Sequence, residues 1–407
     1  MDAENKAVVL GANYYIGLSV IRCLGSHGVK VAAVDYSTKG TYGFRSRYCY
    51  ENLVAPHYEK DPQGLLEFLI DYARKQDCPP VLFPCADPYV GFVDENLHVL
   101  RDYYLLPPMQ QGLYTRVMNK GSLHGLAREH GVAVPETVPV DEGDYISRVE
   151  SELGYPCLVK PEDSFAFMSR FRQKLLKVYN REELVSAVEK ARLANLEVVL
   201  QRIIPGFDDC MHTFDAYLNR DSRVTHWMTC QKQRQFPVNY GASVYAIQKQ
   251  VPELYRIGAG FLEAIGFKGF AEIEFKKDAE TGRFYLIEVN VRTTNLNSLI
   301  CKTGLHMAYL AYCELTGQFE EPGEPQTLSR DTGPAFWYAY EDMLSIRDYL
   351  RSRQLSLWDI IASFFRSKAY AIFSFRDPLP ALTFLNVIAG RIRRKLWGMT
   401  KKEKAAG

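Results

Sequence analysis

Two apolar segments that carry acidic side chains constrain the fold of this chain more than any other feature. They are 270–275 (FAEIEF) and 285–292 (YLIEVNVR). Their apolar flanks predict buried strands, where an unpaired carboxylate is costly. Because strand side chains alternate with period two, two such strands joined by a turn would set Glu274, Glu288 and Asn290 on one face. The alternative is an exposed hairpin with scattered acids.

The chemistry of these three side chains suggests a metal site. Two carboxylates and an amide oxygen are hard ligands of the kind that Mg²⁺ prefers, and Mg²⁺ usually completes its shell with water and substrate phosphates. We therefore predict that Glu274, Glu288 and Asn290 hold a divalent cation.

The first part of the chain has the pattern of an open α/β sheet. An apolar run at 7–10 is followed by a glycine-containing turn, a helical pattern through Cys23 and a second apolar run at 29–34. The same pattern returns at 81–84, so residues 1–110 predict a small doubly wound unit.

The turn after the first strand raises the alternative of a nicotinamide-dependent oxidoreductase. It runs from Gly11 to Gly17, but Asn13 stands where a second glycine would let the backbone approach a pyrophosphate. Asp35 would be a ribose ligand only if this turn binds phosphate. We expect a structural β-α-β unit here.

Lysines and a turn further along the chain suggest a nucleotide. Lys160 ends an apolar strand and Lys120 begins a helix. Taken singly, each lysine is typical of a snorkelling or salt-bridged side chain. The apolar strand 198–204 ends at a Pro205-Gly206 turn, which would expose backbone groups to an adenine edge. Asp208 follows this turn.

Together these residues resemble the ATP-grasp superfamily of carboxylate–amine ligases over about residues 1–315. The ordered series that carries the resemblance is Lys120, Lys160, Gln201–Gly206, Asp208, Glu274, Glu288, Asn290 and Arg292. The resemblance implies an α/β and α+β multi-domain fold. A Rossmann-like domain (1–115) would precede the two ATP-grasp lobes (116–318) and a mainly helical C-terminal extension (319–407).

The resemblance also implies a role for each matching residue. Lys120 and Lys160 would hold phosphates, Gln201 and the backbone of Ile204 would face adenine, and Asp208 would bind ribose. The metal trio would be Glu274, Glu288 and Asn290, with ATP and Mg²⁺ as cofactors and Mn²⁺ as an alternative ion. Arg292 would hold the substrate.

The segment after Lys160 departs from the usual family pattern. Many ATP-grasp enzymes have a glycine-rich phosphate loop there, whereas residues 162–174 contain no glycine. This pattern is similar to the D-aspartate ligases of peptidoglycan cross-bridge synthesis. Ser164, Arg172 and Lys174 then become candidate phosphate ligands.

Lys232 and Arg234, in the segment 230–237, become candidates for contact with the triphosphate or an acyl phosphate. For this segment an exposed basic hairpin remains the alternative.

The activity that the resemblance implies is ATP-dependent amide formation between a carboxylate and an amine, with release of ADP. The amine would be an amino acid, and the carboxylate a cell-envelope precursor or a polysaccharide uronate. A nucleotide-binding module or a degenerate ligase without turnover remains an alternative.

Composition limits the partners and the compartment. The net charge is +1, from 49 basic and 48 acidic residues, so a general nucleic-acid binder is not expected. Nine scattered cysteines without a CxxC pair predict reduced thiols, with neither a disulfide framework nor a zinc site. We expect a cytoplasmic protein without a secretion signal or membrane span.

The C-terminal stretch 381–407 is locally basic, because it contains several lysines and arginines and a single acidic residue, Glu403. At 100° per residue, Leu382, Leu385 and Ile392 fall on one arc, and Arg391 lies mostly opposite. A basic amphipathic helix of this kind can lie on an anionic membrane surface. Contact through 381–397 would suit a lipid-linked acceptor at the inner face of the membrane. The alternative is a terminal helix packed on the protein's own core.

Overall fold

The protein contains three β-sheets with helices packed around them. The structure is a computed structural model that describes residues 5–140, 143–162 and 164–405, without the side chains of 164, 165 and 394–405. No helix in these ranges is both long enough and apolar enough to cross a bilayer.

The first sheet is parallel, with strand order β3-β2-β1-β4. The strands are β1 (Ala7–Leu10), β2 (Val31–Asp35), β3 (Glu51–Val54) and β4 (Val81–Pro84). The helices of this part are α1 (Tyr15–Ser26), α2 (Pro62–Arg74), α3 (Asp87–Glu95) and α4 (Leu97–Leu100). The strand–turn–helix–strand pattern is therefore observed at the predicted positions.

The turn between β1 and α1 uses Asp35 internally. The Asp35 carboxylate is fully buried and accepts hydrogen bonds from the backbone N–H groups of Asn13, at 2.8 Å, and Tyr36, at 2.9 Å. Both of its oxygens thus have backbone partners, which supports a structural role for the turn. The geometry gives no support to a ribose-binding role for Asp35.

The second sheet is small and antiparallel, with strand order β5-β8-β6-β7. Helices α5 (Leu113–Met118) and α6 (Lys120–Glu129) lead into it. Its strands are β5 (Thr137–Pro139), β6 (Cys157–Pro161), β7 (Leu176–Val178) and β8 (Val198–Arg202). The helices between these strands are α7 (Tyr145–Arg148), α8 (Ser164–Phe171) and α9 (Arg181–Leu193).

Helix α8 lies in the glycine-free segment that follows Lys160. Residues 164–171 are helical, and Phe167 is fully buried and contacts the ring of Phe171. This apolar i, i+4 pair stabilises a helix. The glycine-free sequence therefore forms a short helix in the region where the family pattern suggested a loop.

The third sheet is the largest, with order β13-β12-β9-β10-β11-β14-β15. Its first five strands are β9 (Met211–Leu218), β10 (Val224–Phe236), β11 (Ala242–Gln248), β12 (Gly269–Lys277) and β13 (Phe284–Asn290). The helices between 252 and 315 are α10 (Pro252–Ala264), α11 (Asn297–Lys302) and α12 (Met307–Leu315). All five strands are antiparallel to their neighbours.

The C-terminal part contains two strands in addition to its helices. Strands β14 (Ala335–Trp337) and β15 (Lys368–Tyr370) extend the large sheet through β11. The helices are α13 (Ala339–Arg351), α14 (Leu357–Phe364) and α15 (Leu379–Ala405). The expectation of a mainly helical extension therefore missed two strands, because three-residue strands are too short to produce a period-two pattern.

Helix α10 gives a direct test of packing on the large sheet. A Cβ at Gly258 would lie 2.4 Å from Cδ1 of Phe214 on β9. We expect Gly258→Ala to lower the free energy of unfolding by about 1–3 kcal/mol through overpacking. Gly260, in the same helix, has open space around it, so Gly260→Ala should raise stability by about 0.5–1 kcal/mol. Urea denaturation measures both, and equal stability of the two variants would contradict this packing.

Candidate active site

A cavity of about 250 Å³ lies between the small sheet and the large sheet. The small sheet contributes Leu158, Lys160 and Gln201 to its wall, and the large sheet contributes Met211, Glu274 and Glu288. A larger cavity of about 420 Å³ lies elsewhere, lined by residues such as Arg101 and Glu314. The cavity between the sheets is the one that brings together most of the side chains singled out from the sequence.

Five lysines line this cavity, and three of them, Lys120, Lys160 and Lys174, were singled out from the sequence. Lys160 is buried on β6, and its Nζ donates to Oε1 of Gln201 at 3.3 Å. Lys120, at the start of α6, donates from Nζ to the carbonyl oxygen of Pro161 at 3.1 Å. Lys174 is exposed and precedes β7. Burial, together with the charge of Lys120, lowers the pKa of Lys160 to about 8.

Part of the cavity wall is apolar and also carries the buried amide of Gln201. The apolar side chains there are Leu158, Ile204, Phe207 and Met211. Gln201 is 4% exposed on β8, where its register neighbour on β6 is Leu158. An apolar slot with one fixed polar group suits a flat heteroaromatic ring. Gln201 and Ile204 therefore lie where the sequence predicted a base-binding wall.

The carboxylates lie on the neighbouring strands β12 and β13. Glu274 faces Glu288 in register, and Glu272 faces Asn290. This is the shared face predicted from the period of two. Burial raises the pKa of Glu288, but the charges of Lys174, Lys232 and Lys160 outweigh burial and hold this pKa below its usual value.

Lys232 lies beneath the carboxylates and does not line the cavity. Its side chain is fully buried on β10, and Nζ lies 2.6 Å from Oε1 of Glu274. This ion pair makes Lys232 a positioning residue for Glu274. The expectation that Lys232 contacts a triphosphate or an acyl phosphate is therefore not supported by the geometry.

Asn290 and Arg292 connect the carboxylates to the first sheet. Asn290 donates from Nδ2 to Oε2 of Glu272 at 3.0 Å and accepts from Nη2 of Arg292 at 3.1 Å. Arg292 also binds the Asp87 carboxylate at the start of α3 with two donors, at 2.6 and 3.2 Å. The guanidinium is thus already arranged to hold a carboxylate in a bidentate manner.

Two buried acids extend this cluster beyond the residues assigned from the sequence. Glu272 is 2% exposed, and its Oε1 has no hydrogen-bond partner in the structure. Its register neighbour on β9 is Asp215, which accepts hydrogen bonds from Thr213 and Thr294. Burial raises the pKa of both acids, that of Asp215 to about 6. The period of two on 270–275 already put Glu272 on the same face as Glu274.

These side chains fit a divalent cation. Glu274, Glu288, Asn290 and Glu272 bring carboxylate and amide oxygens together on one sheet face. A buried carboxylate oxygen without a partner costs free energy, and a bound cation would remove that cost. The donor set contains oxygen atoms alone, which suits Mg²⁺.

The structure does not bring Asp208 to the cavity. Asp208 is 1% exposed and accepts hydrogen bonds from Gln235 Nε2 at 2.6 Å, from the backbone N–H of Asn239 at 3.0 Å and from the Tyr349 hydroxyl. These donors occupy both oxygens. Asp208 therefore joins β10 to α13, which corrects the expectation that it binds ribose.

Arg234 also points away from the cavity. It forms a bidentate pair with Asp342 on α13, at 2.6 and 2.8 Å, and lies over the ring of Tyr245. A β-bulge between Lys232 and Arg234 breaks the alternation of β10, so that the two cations do not act on the same group. Because Arg234 is paired with Asp342, the expectation that Arg234 contacts phosphates is not supported by the geometry.

The structure gives little support to two further candidate phosphate ligands, Ser164 and Arg172. The side chain of Ser164 lies outside the described residues. Arg172 is exposed, follows α8 and has a φ of 59°. Neither has a described contact with the cavity.

Comparisons with known proteins agree with the motif series. No family model matches the chain. D-aspartate ligase of Enterococcus faecium (strain Aus0004) is 26% identical over 272 residues, which cover 63% of this chain and 64% of that protein. D-alanine–D-alanine ligase of Chloroherpeton thalassium is 26% identical over 164 residues, or 37% and 42% of the two chains. The chain thus spans less than two thirds of the length of these relatives.

A solved structure agrees at the level of the fold. The biotin carboxylase domain of Hydrogenobacter thermophilus 2-oxoglutarate carboxylase, in complex with MgADP, ADP and bicarbonate, gives a TM-score of 0.61 at 18% identity. The match covers 81% of this chain and 73% of that chain. The predicted resemblance to ATP-grasp ligases, and among them to D-aspartate ligases, is confirmed.

The pairing of Arg234 with Asp342 predicts a stability effect. Asp342→Ala would leave a buried guanidinium unpaired, so we expect the free energy of unfolding to fall by about 3–5 kcal/mol. The matched control is Asp331→Ala, which removes an exposed pair with Lys249 and should cost at most about 1 kcal/mol. Denaturant titration compares the two variants. Equal losses would contradict the structural role of Arg234.

Proposed function

We propose that this chain is an ATP- and Mg²⁺-dependent ligase that joins a carboxylate to an amine and releases ADP. The observation that carries the proposal is the opposition of lysines and carboxylates across one cavity, with Lys160 on β6 and Glu288 on β13. A nucleotide triphosphate with a bound cation complements both charges. The resemblance to ATP-grasp ligases supports the same reading.

The nucleotide would lie with its base against the apolar part of the cavity wall. Gln201 and the backbone of Ile204 would face the base, and Leu158 and Met211 would cover its two sides. Lys160, Lys120 and Lys174 would then bind the phosphates. Because Asp208 is occupied, the ribose hydroxyls would be bound by other groups of the cavity wall.

The carboxylates would hold the cation. Glu274, Glu288 and Asn290 would ligate it, with Glu272 next to them as a fourth oxygen source. When bound, Mg²⁺ supplies charge stabilisation to the phosphate oxygens. Lys232 keeps Glu274 in place through their ion pair.

The reaction needs no protein nucleophile. The γ-phosphoryl group of ATP passes to the substrate carboxylate, which gives ADP and an acyl phosphate. The amine then attacks the carbonyl carbon, and phosphate leaves. Negative charge develops on the transferred phosphoryl group and then on the carbonyl oxygen, where Lys160 and Arg292 would stabilise it.

Arg292 would orient the carboxylate substrate. In the structure its guanidinium holds the Asp87 carboxylate in a bidentate manner. A substrate carboxylate that displaced Asp87 would take over this bidentate contact, beside Asn290, which accepts a hydrogen bond from Arg292 Nη2. An amino acid would be the amine, and an envelope precursor or a polysaccharide uronate the carboxylate, in line with the names of the D-aspartate and D-alanine ligases.

Release of ADP tests the proposal. Purified protein would be incubated with MgATP, a panel of D- and L-amino acids and a panel of carboxylates, and ADP and new amides would be measured. We expect ADP formation that depends on both substrates and is abolished by Glu288→Gln, because the amide lacks the anionic oxygen that ligates the cation. The control Glu280→Gln changes an exposed acid in the β12–β13 turn and should keep full activity.

Two outcomes would count against the proposal. Wild-type rates in Glu288→Gln would contradict the assigned cation site. Binding of nucleotide without ADP release for any pair in the panel would favour the alternative of a module without turnover.

We also propose that α15 contacts an anionic membrane surface. Leu382, Leu385 and Ile392 remain 54%, 58% and 54% exposed along this helix, next to the exposed Arg391 and Arg393. The helix packs on the protein through Phe384, which contacts the rings of Tyr42, Tyr338 and Tyr340. The apolar arc predicted from the sequence is therefore free to enter a lipid interface.

Vesicle binding tests this contact. The protein should co-sediment with phosphatidylglycerol vesicles but not with phosphatidylcholine vesicles. The reason is that binding depends partly on the attraction of basic side chains to anionic lipid. The double variant Leu382→Asp/Leu385→Asp should lose binding. Leu193→Asp, which changes an 83% exposed leucine at the end of α9, is the control. Equal vesicle binding by the double variant and the control would contradict the proposal.

A further inference from the structure

Four side chains of the types that bind metals lie near one another outside the nucleotide cavity. Cys23 lies in the last turn of α1, and His27 is the residue that ends this helix. Cys301 lies in α11, and His306 immediately precedes α12. The spacings Cys-x₃-His and Cys-x₄-His are therefore brought together by the packing of α1 against α11 and α12.

Three of the four side chains form a close group, and the fourth, Cys301, lies beside Cys23. The ligand atoms of Cys23, His27 and His306 all lie within 4.8 Å of one another. The Cys23 and Cys301 thiols and the His306 ring are close enough to shift one another's pKa. The imidazole rings of His27 and His306 are 4.6 Å apart in an edge-to-face arrangement.

The hydrogen bonds leave ring nitrogens available to a ligand. Nδ1 of His27 lies 2.7 Å from the carbonyl oxygen of Cys23, so its N–H donates there and Nε2 keeps its lone pair. Such a bond to a backbone carbonyl is typical of histidines that bind metals. Nδ1 of His306 is buried and has no hydrogen-bond partner among the residues that the structure describes.

The electrostatics of the cluster favour a thiolate. Hydrogen bonds from Cys301 and His306 outweigh burial and lower the pKa of Cys23 to about 5. A thiolate is the form of cysteine that binds metals. The distances among Cys23, His27 and His306 are independent of this shift.

We propose that Cys23, His27, Cys301 and His306 form a structural zinc site. Two sulfur and two nitrogen ligands suit Zn²⁺ and not the oxygen-preferring Mg²⁺. Ligand atoms around a tetrahedral zinc lie roughly 3.3–3.8 Å apart. Binding would thus draw Cys23, His27 and His306 together by up to about 1 Å and would bring in Cys301 as the fourth ligand. Four protein ligands close the coordination shell, which is the pattern of structural sites.

The site would fasten two parts of the fold. Helix α1 belongs to the first sheet, and α11 follows Arg292 directly in the chain. A second connection, from Asn297 Nδ2 to Ser19 Oγ at 2.9 Å, joins the same two helices. Zinc at the helix ends would hold α1 in register with the segment that follows the carboxylate cluster.

Metal analysis of the full chain, purified without chelator or affinity metal, tests the inference. We expect about one zinc per chain in the wild-type protein. We expect a loss of zinc to background in Cys301→Ser and in His27→Gln. The controls Cys78→Ser and His98→Gln, which lie outside the cluster, should keep the metal.

Cobalt substitution keeps the test decisive if a variant fails to fold. Wild-type protein reconstituted with Co²⁺ should show a thiolate-to-cobalt charge-transfer band and the visible absorption of tetrahedral cobalt. A strong chelator should remove the metal and lower the melting temperature. A wild-type protein that takes up neither zinc nor cobalt, or that carries a Cys23–Cys301 disulfide by mass spectrometry, would overturn the proposal.

Discussion

The cross-strand pairing of β12 with β13 is the constraint on which the rest of the site depends. It sets Glu274 opposite Glu288 and Glu272 opposite Asn290, and it buries Glu272 while Glu274 and Glu288 stay partly exposed at the cavity. Several buried acids on one face repel one another and lose hydration. Such a face is stable only where cations lie against it, and Lys232 supplies one from the neighbouring part of the same sheet.

The remaining positive charge comes from the opposite wall of the cavity. Lys160 is buried in the small sheet, where burial and the charge of Lys120 lower its pKa, and its hydrogen-bond partner is the neutral Gln201. Each wall thus carries charge that its own sheet does not neutralise in full. An anionic ligand with its own cation, held between the walls, would satisfy both sides, and this is why a magnesium–nucleotide complex fits better than either component alone.

Local sequence pattern predicted the parts of this arrangement that depend on neighbouring residues. The period of two put Glu274, Glu288 and Asn290 on one face, and apolar runs located most strands. Asp208 and Arg234 could not be assigned in this way, because their partners Tyr349 and Asp342 lie on α13, more than a hundred positions away. A β-bulge beside Arg234 and a helix in place of the expected loop are likewise products of tertiary packing. The cluster around Cys23 joins two pairs of residues that lie far apart in the sequence, and no spacing rule connects the two pairs.

Calorimetric titration with a non-hydrolysable ATP analogue and Mg²⁺ tests the central claim most directly. Wild-type protein should bind the analogue, and Lys160→Ala should bind it much more weakly. Because the pKa of Lys160 is about 8, its amine loses charge above that pH, so wild-type affinity should fall as the pH rises through about 8. Lys160→Arg, which stays charged, should show no such fall. Absence of binding, or equal affinities of wild type and Lys160→Ala, would contradict the account.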